Sequence, residues 1–164
     1  MKFYITTIFA LLCSGCFETE GVVESGDWSI TNSGFEANTC QFADLNFSDG
    51  DMLNIISVND SIVRVRLDGD SPFVDCSLHD FGFDCGYTEN TVDMSHVGSP
   101  TFVTTKTMVT GEFLSEVEGV IVIQKDITCE STNDGCDLVT LNPEADTVVS
   151  LPCGATSSFD IVFE

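Results

Sequence analysis

Hydrophobic and polar positions alternate in short bursts along most of this chain, and apolar residues rarely recur at helical spacing. Runs of β-branched and aromatic residues are cut by Gly, Asn and Asp, which predicts antiparallel strands joined by hairpins. "MLNIISV" and "SIVRVRL" flank Asn59-Asp60, and a tight turn there sets Val58 opposite Ser61, Ile56 opposite Val63 and Asn54 opposite Val65. In "FVDCSLHDFGFDCGY", a period of two puts Val74, Cys76 and Leu78 on one face of their strand. The same period puts Phe83, Cys85 and Tyr87 on one face of the next strand. A turn centred on Asp80-Phe81 then sets Leu78 opposite Phe83 and Cys76 opposite Cys85.

Further on, "TFVTTKTMVTGEF" and "GVIVIQKDITC" flank "LSEVE" as a longer hairpin, and the second of them is apolar on both faces, which predicts a central or covered strand. "CESTNDGC" reads as a loop pinned at its base. "SFDIVFE" ends the sequence with Phe159, Ile161 and Phe163 on one face, a closing strand. The prediction is a single all-β domain over residues 27–164, an antiparallel meander built as a barrel or as a β-sandwich.

The first residues follow a different pattern. Lys2 precedes an apolar run from Phe3 to Leu12, which ends in small residues and then meets Glu18 and Glu20. This is the shape of an export signal, about half the ~20 apolar residues that a transmembrane helix needs. "LLCSGC" resembles the lipobox of bacterial lipoproteins through Ser14, Gly15 and Cys16, with Cys13 standing where that family usually has Leu. The resemblance implies a signal peptide over 1–15, a diacylated Cys16 and a flexible acidic tether over 16–26. Phe17 after the lipid-bearing cysteine is similar to the enterobacterial pattern for sorting to the outer membrane, on its periplasmic or cell-surface face. The membrane would then be a partner through the anchor at Cys16.

Cysteine parity agrees. The eight cysteines are Cys13, Cys16, Cys40, Cys76, Cys85, Cys129, Cys136 and Cys153. Removal of Cys13 with the signal leaves an odd number, and lipidation of Cys16 leaves six, which can pair completely in an oxidising compartment. Alternation pairs Cys76 with Cys85. Cys129 and Cys136 close the "ESTNDG" loop and set Ile127 across from Leu138, which leaves Cys40 with Cys153.

Charge narrows the partners. Five basic residues against 27 acidic ones give a formal net charge of -22, a surface that repels phosphate backbones and so excludes nucleic acid as a partner. Apolar material is ample for a core, at 43% of residues with thirteen Phe.

"GDW" at Gly26 to Trp28 opens the first predicted strand, "WSIT", and carries the sequence's one Trp. It resembles the G-x-W of lipocalins, which implies a calycin-like eight-stranded barrel with Trp28 plugging its closed end and a small hydrophobic ligand inside. The arginine that lipocalins place on their last strand has no counterpart in "SFDIVFE". Arg64 and Arg66 are the only arginines. Spaced by two, they lie on one face beside Leu53 and Ile55, either as a seat for an acidic headgroup or, more ordinarily, as a solvated pair among aspartates.

Catalytic signals are weak. His79 and His96 have no sequence partner that specifies a nucleophile, and there is no G-x-S-x-G. "CSLH" has zinc-like spacing, yet in a strand Cys76 and His79 point to opposite faces. "SDGD" and "LDGD" lack the ligand spacing of a calcium loop, and Asp-Gly is a favoured hairpin turn in any case. The sequence therefore predicts a non-catalytic, cofactor-free envelope lipoprotein that carries a small hydrophobic ligand in a barrel. Its alternative is a surface or adhesion sandwich that contacts envelope or extracellular macromolecules, with a hydrolase a distant third.

Overall fold

The computed structural model describes residues 23–42, 47–67, 69, 71–95, 100–131, 135–136 and 150–164. The expectations for Cys13, Cys16, His96, Leu138, Asp68 and Asp70 lie outside the described residues.

Eight antiparallel strands follow one another around a closed barrel: β1 (Gly26–Asn38), β2 (Met52–Asn59), β3 (Ile62–Arg66), β4 (Val74–His79), β5 (Gly82–Asp93), β6 (Thr101–Phe113), β7 (Glu118–Ser131) and β8 (Cys153–Phe163). The all-β meander is thus a calycin-like barrel, and the sandwich alternative is not what forms. β8 is the closing strand, since it pairs with both β7 and β1. Its Phe159, Ile161 and Phe163 face inward as their alternation predicts, the first two fully buried.

The strands are unequal, and this shapes the molecule. β2, β3 and β4 are short, and they wall only the lower part of the barrel. β1 pairs with β2 only over Gly26 to Ser29, and β4 pairs with β5 only over Ser77 to His79. Above that level β1, β8, β7, β6 and β5 continue as a curved five-stranded sheet, with β7 in the middle.

The lower barrel is filled. Trp28, Ile30, Leu53, Ile55, Val63, Phe83, Ile121, Phe159 and Ile161 are all essentially inaccessible to solvent. Trp28 packs against Phe113 and edge-on against Phe163, with ring centroids 5.8 and 5.6 Å away. Its indole Nε1 donates to the Glu24 carbonyl at 3.2 Å, so the one polar atom of the plug is satisfied. Phe83 lies flat over Gly111, its cross-strand partner, where any side chain would overlap the ring. That missing Cβ lets Phe83 reach Phe113, with centroids 5.5 Å apart.

Two expectations of register need correction. In the β2–β3 hairpin Ile55 pairs with Val65, Ile56 with Arg64 and Asn54 with Arg66, one residue away from the predicted register. A bulge between Ser57 and Asn59 absorbs the extra residue, and the shift is what brings Leu53, Ile55, Val63 and Val65 to the inside together. Arg64 and Arg66 accordingly sit beside Ile56 and Asn54, not beside Leu53 and Ile55.

The second correction concerns Tyr87. Leu78 pairs with Phe83 as predicted, but a bulge between Asp84 and Tyr87, with Gly86 at φ 65°, turns Tyr87 outward. Tyr87 is 68% exposed while Phe83 is buried. β7 is central, as its two apolar faces predict, paired with β6 on one side and β8 on the other. Ile121 and Ile123 fill the core, whereas Val120 and Val122 are half-buried along an outer groove under the Asp80-Phe81 turn.

All three expected disulfides are present: Cys40–Cys153, Cys76–Cys85 and Cys129–Cys136. The end of β1 and the start of β8 meet at the upper rim, where Cys40 and Cys153 join Val103 and Ile127 in a second, smaller core.

Candidate functional site

The curved upper sheet has a concave face, and its side chains follow from the pairing. On β7, Ile121, Ile123, Lys125 and Ile127 point the same way, toward the barrel interior. Lys125 is therefore the charged member of an otherwise apolar inward row, placed between the lower core and the rim core. Thr107 on β6 and Ala155 on β8 are its direct cross-strand partners. Thr105, Ser157 and Asn38 belong to the same inward set, by their pairing with Ile127, Ile123 and Ala155.

Asn38 fixes the lid of this belt. Its amide donates to the Phe42 carbonyl at 2.9 Å and its Oδ1 accepts from the Phe42 N–H at 3.0 Å. Phe42 is thereby held against the rim core, with its ring 6.0 Å from the Lys125 ammonium. This contact lies at the outer limit of cation–π attraction.

Below Thr107 the wall is apolar and incompletely packed. A cavity of about 120 Å³ lies among Val65, Leu67, Val74, Cys85, Gly86, Thr88, Thr107 and Val109. The Gly86 bulge and the short β3 and β4 together leave this space. For scale, an engineered apolar cavity of about 150 Å³ in another protein holds benzene.

Burial pushes the Lys125 ammonium below its ordinary value, because desolvation disfavours the charged form. No carboxylate among the described residues pairs with it. The side chains facing it from β6, β8 and β1 are Thr105, Thr107, Ala155, Ser157 and Asn38, none of them titratable. The next residue, Asp126, points outward and accepts from the Gln124 amide at 3.0 Å.

This has a stability consequence with a definite sign. As pH rises, the folded chain loses the Lys125 proton before the unfolded chain does, so the unfolded state binds more protons in that window and folding gains stability. Below the window the desolvation penalty is fully present. Lys125→Met should therefore raise the urea midpoint at pH 7, and its advantage over the wild type should shrink as pH climbs toward the ordinary lysine value. Paired urea titrations at pH 7, 9 and 10 check this, and a constant advantage would contradict it.

The other described cations are engaged elsewhere. Arg64 Nε lies 2.6 Å from Asp75 Oδ1 on the outer surface, and Arg66 stacks over Phe73 at 4.7 Å. Asp75 holds the Arg64 guanidinium above its ordinary value through that hydrogen bond. Lys106 Nζ is 3.2 Å from Glu89 on the outer face. The arginine pair is thus a solvated surface feature, and it does not face the barrel interior.

His79 is exposed at the lower end, and Cys76, on the opposite face of β4, is buried in its disulfide. The zinc-like spacing therefore brings no ligands together. Among the described residues no group of three His, Cys, Asp or Glu is arranged to hold a metal. In the Ser48 to Asp51 turn, Asp49 accepts from the Ser33 N–H and hydroxyl, both at 2.9 Å, and Asp51 accepts from the Ser48 N–H at 2.8 Å. The bonds from Ser33 hold the Asp49 carboxyl below its usual range, so these carboxylates act as turn caps.

No family model, curated protein or solved structure matches the chain. The site is therefore read from its geometry alone. Its centre, Lys125, escapes a reading of "GVIVIQKDITC" as apolar on both faces. The available signal was phase: Lys125 occupies the same alternation as Ile121, Ile123 and Ile127.

Proposed function

We propose that this chain is an exported, lipid-anchored envelope protein that binds a small, largely apolar ligand without transforming it, inside its barrel. The observation that carries the binding reading is the pairing of an apolar cavity of about 120 Å³ with the inward face of the upper sheet directly above it. A solvent-reachable apolar space with few polar groups at its edge is the general form of a small-molecule site. Three disulfides suit an oxidising compartment, in keeping with export. The lipobox resemblance at Cys16 supports attachment to the outer membrane, and the high negative charge argues against a nucleic-acid partner.

A surface-contact role has one observation in its favour, the outer groove of about 450 Å³ between Phe81 and Val120. Phe81 at its edge is 61% exposed. The interior reading is preferred because the upper sheet also presents Lys125 there, a cation with no carboxylate partner among the described residues.

Intact-mass analysis of membrane-extracted protein should show a diacylglyceryl group on an N-terminal Cys16, and native mass spectrometry should show a small molecule leaving on activation. Val109→Phe, which fills the cavity, should abolish retention of that molecule without altering the anchor. An unmodified, freely soluble Cys16 form overturns the anchor. Retention undiminished by Val109→Phe overturns the interior site.

A further inference from the structure

We infer that the ligand of this barrel is a carboxylate monoanion with a compact apolar body, its charge read by Lys125. This rests on the interior-binding reading above and specifies the class of molecule that the site selects.

Three observations converge. Lys125 stands in the inward row of the central strand of the trough, with no carboxylate partner among the described residues. In a chain of net charge -22, where Arg64 and Lys106 are each paired with an acid, that is an unusual placement. An ammonium half-withdrawn from water and left uncompensated is unfavourable, and an incoming anion removes the penalty while gaining a charge-assisted hydrogen bond.

The cavity also lies within reach. Thr107 lines it and is the cross-strand partner of Lys125, so their Cβ atoms are about 4.5 to 5.5 Å apart. A molecule whose apolar end sits among Val65, Val74 and Val109 therefore presents its other end to the ammonium. The size of the cavity limits that body to a ring or a short chain, near the benzene scale.

The charge balance sets the valence. One ammonium neutralises one negative charge, and the surrounding acidic surface repels any excess. A phosphate dianion would carry an unmatched charge into the trough, whereas a carboxylate is matched. The hydroxyls of Thr105 and Thr107 beside Lys125 can donate to its second oxygen.

Phenylacetate, phenylacetamide and phenethylamine share one ring and nearly one shape, and differ in charge. Their affinities for the full chain, held in phosphatidylcholine nanodiscs, can be compared by calorimetry at pH 7. Phenylacetate should bind about tenfold tighter than phenylacetamide, in line with one charge-assisted hydrogen bond, and phenethylamine weakest of the three. Lys125→Met and Lys125→Gln should bring the acid and the amide to within about twofold of each other. Lys125→Arg, which keeps the charge, should retain the preference and guards against a loss caused by misfolding.

If the amide equals the acid in the wild type, or if Lys125→Met leaves the tenfold ratio intact, the inference about charge is overturned and interior binding stands. If none of the three probes binds at millimolar concentration, the interior-binding reading itself falls, and this inference with it.

Discussion

Replacing Cys40 and Cys153 together by alanine should lower the free energy of unfolding by about 4 to 5 kcal/mol, the largest effect of any disulfide in this chain. The reason is loop length. This bridge closes 113 residues, against 9 for Cys76–Cys85 and 7 for Cys129–Cys136. In the chain-entropy account each short bridge contributes only about 2 to 3 kcal/mol. The long one also ties the end of β1 to the start of β8, beside Val103 and Ile127, so its loss loosens the rim as well as the unfolded ensemble. Guanidinium titrations followed by circular dichroism measure the three bridges side by side. A ranking in which either short bridge dominates would show that strain or residual structure, not loop closure, governs their stabilisation.

Trp28→Ala should be nearly as damaging, at about 3 to 5 kcal/mol, because a fully buried indole leaves a cavity that its neighbours cannot fill. Phe113 and Phe163 lose their central partner, and the Glu24 carbonyl loses its donor. Trp28→Phe keeps a ring against Phe113 and Phe163 while removing the Nε1 bond and part of the buried volume; its loss should be well under half that of the alanine variant. Because the chain has a single Trp, both variants must be followed by circular dichroism rather than by tryptophan emission. Equal losses for the two variants would show that the ring kept by Trp28→Phe does not carry the stabilisation.

Much of this fold was legible in the sequence, for reasons that can be located. Hairpins with one apolar phase on each strand gave the pairing of Leu78 with Phe83, and with it the Cys76–Cys85 bridge. "SFDIVFE" was legible because its inward row is aromatic and aliphatic without interruption. The misreadings share a different physical origin, the bulge. Alternation assumes that every residue advances the phase by one face, and the extra residues near Ser57 and Gly86 break that assumption for Arg64 and Tyr87. Closure into a barrel was also beyond alternation, which is a property of pairs of strands, whereas closure depends on β8 meeting β1 across the whole domain.

The candidate site was the least legible part. Arg64 and Arg66, two cations at a spacing of two, make a visible cluster in the sequence, and the solvated alternative for them is the one that forms. In the fold they lie outside, against Asp75 and Phe73. Lys125 stands alone in its strand and becomes conspicuous only when neighbours from β6, β8 and β1 are seen to supply no counter-charge.

The chain's route around the barrel gives the protein a direction. Val23 is buried in the lower core, Ser25 accepts from the Ser57 N–H at 2.9 Å, and the Glu164 N–H donates to the Asp27 carbonyl at 3.1 Å, so both ends of the described domain leave from the plugged base. Under the proposed anchor at Cys16, a leash ahead of Val23 would hold the barrel by its foot, with the trough turned toward the opposite side. Cargo would reach Lys125 from the surrounding fluid and not by climbing out of the lipid beneath. That polarity would favour molecules soluble enough to travel through water.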